Sequence, residues 1–253
     1  EIESLLLDDT GNMQGICQHI KYFEKTDSTN NQAKLAAEQN ALDKTLFVAE
    51  CQTGGRGRRG RSWVSPAGSG IWMSLLLRPD IRPESASMLT LVLAVAMVEA
   101  INEEVQDADC LVKWPNDIVL NNKKISGTLT EMSAEMESIH YVVIGIGINV
   151  NTTDFDASIK DMATSIYLET GKKVKRSNII AAFSRSFKKY YEQFLKTQDL
   201  TLLTDRYNEL LINKGRTVKA IYADRELVGE ALGINKEGEL IIKAEDGSET
   251  AIR

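Results

Sequence analysis

The densest chemistry in the chain lies in ten residues, Gly54-Gly55-Arg56-Gly57-Arg58-Arg59-Gly60-Arg61-Ser62-Trp63. Four arginines alternate with glycines directly after a compact apolar segment. Glycine lets backbone N–H groups approach an anion, and each guanidinium clamps a carboxylate or phosphate through two hydrogen bonds. Such a loop repels itself when free, and an anionic ligand orders it. The alternative is a nucleic-acid-binding RGG segment. Those tracts are usually long and terminal, whereas this one is short, embedded, and set in an acidic chain.

Three further segments carry candidate groups. In Lys113-Trp114-Pro115-Asn116-Asp117 the proline forbids helix and stiffens a corner, and Asn116 and Asp117 offer oxygens to Mg²⁺ or a nucleotide. Alone, such a turn is more often structural than functional. In Lys123-Lys124-Ile125-Ser126-Gly127 a lysine precedes a buried strand, and Gly127 leaves room against a sheet; a solvated hairpin turn explains the segment equally well. In Gly145-Ile146-Gly147-Ile148-Asn149 glycines inside a strand mark close approach by a ligand, and Asn149 can both donate to and accept from a base. No G-x-G-x-x-G followed by a helix occurs here, which excludes a dinucleotide fingerprint.

These segments need strands and turns to hold them. Residues 19–25 read as a strand, and Asp27-Ser28-Thr29-Asn30 supplies N-cap candidates for a helix to about Gln39. Strands are expected at 45–51 and 71–77, with residues 54–61 as loop. Pro83 opens a long buried helix to about Val105. Strands follow at 111–114, 118–120, 125–131 and 141–150, the second and third joined by a turn at Asn121-Asn122-Lys123. Helical periodicity covers 177–195 and 200–211. Short alternating strands then span 217–222, 227–234 and 239–243, with one more near the end. Turns at 223–225, 236–238 and 246–247 separate them, as in a small SH3-like barrel.

Composition bounds the function classes. The chain has 253 residues, 43% hydrophobic and 26% charged, enough for one catalytic domain and a small appendage. Cys17, Cys51 and Cys110 are odd in number and widely spaced, so free thiols in a reducing, cytoplasmic setting are expected. The only histidines are His19 and His140, without metal-ligand spacing, so no metal held directly by His or Cys is expected. The net charge of −6 and pI near 5.2 lower the expectation of a nucleic-acid binder. The run from Ala86 to Ile101 is interrupted by Ser87, Thr90 and Glu99 and reads as a core helix, too short and too polar for a bilayer span.

Taken together, Asp27–Asn30, Cys51-Gln52-Thr53, the Gly55–Trp63 loop, Lys113–Asp117, Lys124–Gly127 and Gly145–Asn149 resemble the biotin–protein ligase family. They stand in that family's order and at its spacings, over residues 20 to 150. The β tail resembles the family's small C-terminal domain more weakly. The resemblance implies an α+β fold, with a mixed, mostly antiparallel sheet packed with helices, like a class II aminoacyl-tRNA synthetase. A catalytic domain over 19–212 is expected after an N-terminal segment 1–18, with an SH3-like β domain over 213–253. It further implies an ATP- and Mg²⁺-dependent enzyme that makes biotinyl-5′-AMP and transfers biotin to a lysine of a carboxylase's biotin carrier domain.

The same resemblance implies residue roles. Ser28, Thr29, Asn30, Gln52, Gly55, Arg56, Arg58, Lys124 and Gly127 would bind biotin. Arg58, Arg61, Trp63, Lys113, Asn116 and Asn149 would bind the nucleotide. Lys113, Asp117, Lys124 and Arg58 would serve the chemistry. Two departures stand out: Thr128 replaces a bulky aliphatic, and the chain stops at Arg253 before a short glycine–glutamate strand. The C-terminal domain is therefore expected to lack its last strand. Residues 1–18 are too short for the winged helix-turn-helix that many relatives carry, and residue 1 is Glu, so DNA is a partner only if such a domain lies upstream. A homodimer fits the family. The rivals are a lipoate–protein ligase and a biotin-operon repressor.

Overall fold

The computed structural model describes residues 1–7, 13–106, 108–221 and 226–253. Its centre is a seven-stranded sheet in the order β1-β2-β3-β7-β6-β5-β4. The strands are β1 (His19–Thr26), β2 (Thr45–Gln52), β3 (Gly70–Leu77), β4 (Leu111–Lys113), β5 (Asp117–Leu120), β6 (Lys123–Ala134) and β7 (Ile139–Asn149). Only β1 and β2 run parallel; the other neighbours are antiparallel. A parallel pair needs a crossover, and helix α2 (Thr29–Glu38) supplies it. The expected mixed, mostly antiparallel α+β architecture is present.

Each face of the sheet has its own helix layer, and strand alternation sorts residues between them. On one face α2 packs against β3 and β7, with Ala33, Ala37, Phe47, Leu76 and Val143 in a small core. On the other lie α3 (Leu89–Glu104) and α5 (Arg176–Thr197), over the main core. In the I-G-I-G-I run of β7, Ile144, Ile146 and Ile148 enter that main core. Gly145 and Gly147 therefore face the α2 side.

Several expectations need correction. The segment 54–61 is not all loop, because a 3-10 turn covers Arg58–Gly60, with Arg59 (φ 57°) and Gly60 (φ 73°) both left-handed. The long helix starts with a 3-10 turn over Pro83–Met88 before α3. The combined Pro83–Glu104 segment is long and apolar enough to cross a membrane by length and composition, contrary to the estimate from residues 86–101 alone. Its most apolar window is 78% buried within the fold, which is how a core helix that is apolar all round is accommodated. The helix expected over 200–211 shortens to α6 (Thr204–Leu210), and α1 (Ile2–Leu6) and α4 (Ile166–Thr170) were not foreseen. Both are five-residue elements, too short to show a periodicity.

The first residues pack on the body. α1 contacts α5, Leu6 is fully buried, and Cys17 N donates to Ser184 Oγ at 3.0 Å. At the other end β8 (Thr217–Ile221), β9 (Glu226–Ile234), β10 (Leu240–Lys243) and β11 (Glu249–Ile252) form a second sheet in the order β11-β10-β9-β8. The expected barrel is an open antiparallel sheet, since β8 pairs only with β9 and β11 only with β10 among the described residues. Tyr222 and the expected turn at 223–225 lie outside the described residues. This sheet is joined to the Trp114-Pro115 corner: Trp114 Nε1 donates to Gly238 O at 3.1 Å, and Trp114 N to Asn213 Oδ1 at 3.0 Å.

Candidate active site

The site is a row of residues running across the sheet. Register partners lie on the same face, and the pairings link Lys113, Asp117, Gly127, Gly147, Trp72, Ala49 and Phe23 in one line from β4 to β1. Two glycines sit side by side in the middle, so the row has a shallow floor where side chains are missing. The indole of Trp63 occupies the space above. A Cβ on Gly147 would lie 2.6 Å from Trp63 Nε1, and one on Gly127 would lie 3.0 Å from Trp63 Cζ3. Trp63 Nε1 is buried there without a hydrogen-bond partner, an arrangement that costs free energy unless a ligand supplies an acceptor.

Beside this floor stands the N-terminus of α2. Ser28 is its N-cap, 2% exposed, and its hydroxyl makes no capping bond. Asp27 ties the first turn instead, accepting from Asn31 Nδ2 at 2.7 Å and Gln32 Nε2 at 2.9 Å. Burial alone would raise the Asp27 pKa; the hydrogen bonds from Asn31, Gln32, Ser28 and Thr26 outweigh it and bring it to about 2. Thr29 N donates to Gln52 Oε1 at 2.8 Å, and Gln52 Nε2 donates to Ser65 Oγ at 2.8 Å. Ser74 Oγ lies 2.7 Å from Thr29 Oγ1 and donates to Asn30 Oδ1 at 2.6 Å. Asn30 fits because Gly145 lies beneath it: a Cβ there would stand 2.0 Å from Asn30 Oδ1.

Cations gather at the β5–β6 end. Lys124 Nζ is 2.6 Å from Asp117 Oδ1 and 5.4 Å from the centroid of the Trp63 ring, within cation–π range. Arg58 Nη1 donates to Asn116 Oδ1 at 2.9 Å, and Asn116 is fixed by exchanging bonds with the Thr128 backbone at 3.0 Å each way. Asn121 and Asn122, both at positive φ, make the two-residue hairpin that delivers Lys124. Gly55 is required by close approach, since a Cβ would meet Trp63 O at 2.2 Å. Gln52, Gly55 and Trp63 also line a surface cavity of about 320 Å³.

The fold thus gathers Ser28, Thr29, Asn30, Gln52, Gly55, Arg56, Arg58, Trp63, Asn116, Asp117, Lys124 and Gly127 around one hollow. Lys113 ends the row, exposed, and neither it nor Arg61 makes a side-chain hydrogen bond or ion pair among the described residues. Asn149 lies two residues beyond Gly147 on the same strand, buried, with Nδ2 donating to Thr164 O at 3.1 Å. Its amide is thereby partly committed to the fold. Thr128 is buried on the opposite face, paired with Ile146, and takes no part in the hollow. Sequence reasoning missed Ser74, Ser65 and Glu131. A lone serine in the apolar run Gly70–Leu77 was the readable signal for Ser74, because a buried hydroxyl requires partners.

Comparison with known proteins bears on this geometry. Residues 22–149 match the biotin/lipoate A/B protein ligase family, and residues 215–252 match the biotin protein ligase C-terminal domain. The bifunctional ligase/repressor BirA of Bacillus subtilis is 41% identical over 232 residues, covering 91% of this chain and 71% of that protein. The chain belongs to the biotin/lipoate A/B protein ligase family. Another member, the biotin–[acetyl-CoA-carboxylase] ligase of Paracoccus denitrificans, is 32% identical over 227 residues, covering 88% of this chain and 93% of that one. Among solved structures, the Aquifex aeolicus biotin protein ligase in complex with biotin and ATP superposes with a TM-score of 0.79 at 30% identity, covering 93% and 95% of the two chains. The family's catalytic fold and its C-terminal domain are both present in this member.

Proposed function

We propose that this chain is a biotin–protein ligase that condenses biotin with ATP to biotinyl-5′-AMP and passes the biotinyl group to a lysine on a carboxylase's biotin carrier domain. The observation that carries the reading is the Gly127–Gly147 floor under Trp63. It has hydrogen-bonding groups on one side and clustered cations at one end. An apolar bicyclic ring would share this hollow with the Trp63 indole, which rests on the floor. Its ureido head needs both donors and acceptors, which Ser28, Thr29 and Gln52 offer; each one lost costs about 1–3 kcal/mol. The relatives' names and the biotin- and ATP-bound structural neighbour support the same substrates.

In the first step a carboxylate oxygen attacks the α-phosphorus and pyrophosphate leaves. Two anions must meet, and Lys124, Arg58, Arg61 and Lys113 lower their repulsion. Asp117 holds the Lys124 ammonium in place. Asn116 and Asp117 would help position Mg²⁺ beside the ATP phosphates, where it would neutralise part of their charge. Asn116 and Asn149 would bear on the nucleotide. The arginine loop then shelters the mixed anhydride from water. In the second step a lysine amine attacks the anhydride carbonyl and AMP leaves, with Asp117 as the carboxylate at that end able to accept a hydrogen bond from the incoming amine. Three free thiols suit a reducing cytoplasm.

ATP–pyrophosphate exchange tests the first step. The expected outcome is exchange with biotin and none with lipoate. Exchange with lipoate alone would transfer the reading to a lipoate ligase, and none with either acid would refute it.

A further inference from the structure

Glu131 stands on β6 four residues beyond Gly127, on the same face of the sheet, with Leu129 between them. Its carboxylate has three partners. Lys34 Nζ is 2.8 Å from Oε1, Asn30 Nδ2 donates to Oε2 at 2.9 Å, and Arg56 Nη1 is 3.1 Å from Oε1. Arg56 Nη1 also donates to Asn31 Oδ1 at 3.2 Å. Burial would push the Glu131 carboxyl up, but the hydrogen bonds from Lys34 and Asn30 and the charges of Lys34 and Arg56 hold it below its ordinary value.

The arginine loop is closed on itself by its backbone. Trp63 N donates to Gly55 O at 2.8 Å and Gly57 N to Arg61 O at 2.7 Å. Its arginines, by contrast, divide into two sets. Arg56 is bound to Glu131 and Asn31, and Arg58 to a single amide oxygen of Asn116. The side chains of Arg59 and Arg61 make no hydrogen bond or ion pair among the described residues. Glu131 is thus the only carboxylate that holds the loop among these residues, and the same carboxylate fixes Asn30 beside Thr29.

We propose that Glu131 is a positioning residue: by holding Arg56 it anchors the arginine loop over the site, so that Arg56 serves as a tether while Arg58 and Arg61 meet the anionic ligands. The role of the loop rests on the ligase reading; the tether itself does not.

Two readouts separate these. The first is trypsin cleavage after Arg58, Arg59 and Arg61 in the folded, ligand-free protein, compared for the parent, E131Q, R56Q, the double variant and K34Q. Gln keeps the size of Glu131 and an oxygen for Asn30 but loses the charge that holds Arg56. Cleavage is expected to rise about tenfold in E131Q, the loss of one charge-assisted hydrogen bond. It should rise at least as much in R56Q, which also loses the bond to Asn31, and the double variant should match R56Q, since both changes remove the same Glu131–Arg56 contact. K34Q should behave as the parent. The second readout is release of biotinyl-5′-AMP into solution after incubation with biotin and Mg-ATP, expected to rise in the same three variants. Parental cleavage in E131Q would overturn the proposal, as would effects that multiply in the double variant, because Glu131 and Arg56 would then hold the loop through separate contacts. If E131Q fails to fold, R56Q breaks the same contact from an exposed side chain. If no adenylate forms in any protein, the ligase reading fails while the cleavage series still decides the tether.

Discussion

Gly147→Ala separates a floor that serves a ligand from a glycine that serves only the fold. Its added Cβ would stand 2.6 Å from Trp63 Cε2 and Nε1 and 3.0 Å from Cζ2. The indole must retreat by about 0.8 Å to reach the 3.4 Å of ordinary contact. Overpacking of this size costs about 1–3 kcal/mol where neighbours are fixed. Trp63 lies on a surface loop and makes no side-chain hydrogen bond, so it can yield. The expected loss of stability is below about 1 kcal/mol, or roughly 2–4 °C in Tm for a chain of this size. A ligand ring packed in the same hollow against that indole cannot yield with it, because its head is fixed by Thr29 and Gln52. A misplacement approaching 1 Å should weaken biotin binding about 10–100-fold, or roughly 1.4–2.8 kcal/mol. Gly145→Ala provides the contrast. Its Cβ would stand 2.0 Å from Oδ1 of Asn30, which is 4% exposed and bonded to Ser74 and Glu131. Displacing that amide should cost about 2–4 kcal/mol in overpacking and broken hydrogen bonds. Calorimetric titration with biotin and thermal unfolding measure both variants. Parental biotin affinity in Gly147→Ala would refute the glycine floor as the binding surface, however its stability changed.

Three further outcomes follow from the same geometry. Lys124→Gln removes the ammonium beside Asp117 and Trp63; biotin-dependent pyrophosphate exchange should fall about 100-fold or more, as for a lost charge stabiliser, and unchanged exchange would exclude Lys124 from the reaction. Asp27 has a folded pKa of about 2 against an ordinary value of about 3.9, so its contribution is complete above pH 4 and disappears as the pH falls toward 2. Chemical denaturation of the parent and Asp27→Asn should therefore show a stability gap at pH 6 that closes at pH 2; a gap that widens on acidification would contradict this. Burial pushes the thiols of Cys17 and Cys110 up to about 12, so iodoacetamide on the native protein at pH 8 should label Cys51 and spare the other two, read by peptide mass.

Most of the elements were legible in the chain because each rests on a local rule. The β7 strand announced itself through β-branched residues, α2 through its polar start, and the hairpin before Lys124 through two asparagines suited to positive φ. The misreadings arose where short elements or partners decide. α1 and α4 have five residues each; α1 docks on α5, and α4 is held by Ser165 Oγ, which accepts from Leu168 N, and by the left-handed Gly171 that ends it. The C-terminal strands showed their alternation but not whether the first would bond to the last, and among the described residues they form an open sheet.

What the sequence determined by itself was the inventory: the arginine loop, the Lys-Trp-Pro-Asn-Asp corner, the Gly-Ile-Gly run and, through their order, the family. Residue type and near-neighbour spacing suffice for that. What only the tertiary structure decided was the register that sets Gly127 beside Gly147 and aligns Lys113 and Asp117 with them. It also decided that Trp63 lies over that gap and that Glu131, 75 residues away in the chain, holds Arg56. The physical reason is that strand pairing is non-local. A slip of one residue would put every side chain on the other face, and the alternation that sorts residues into two faces does not say which strand lies next to which.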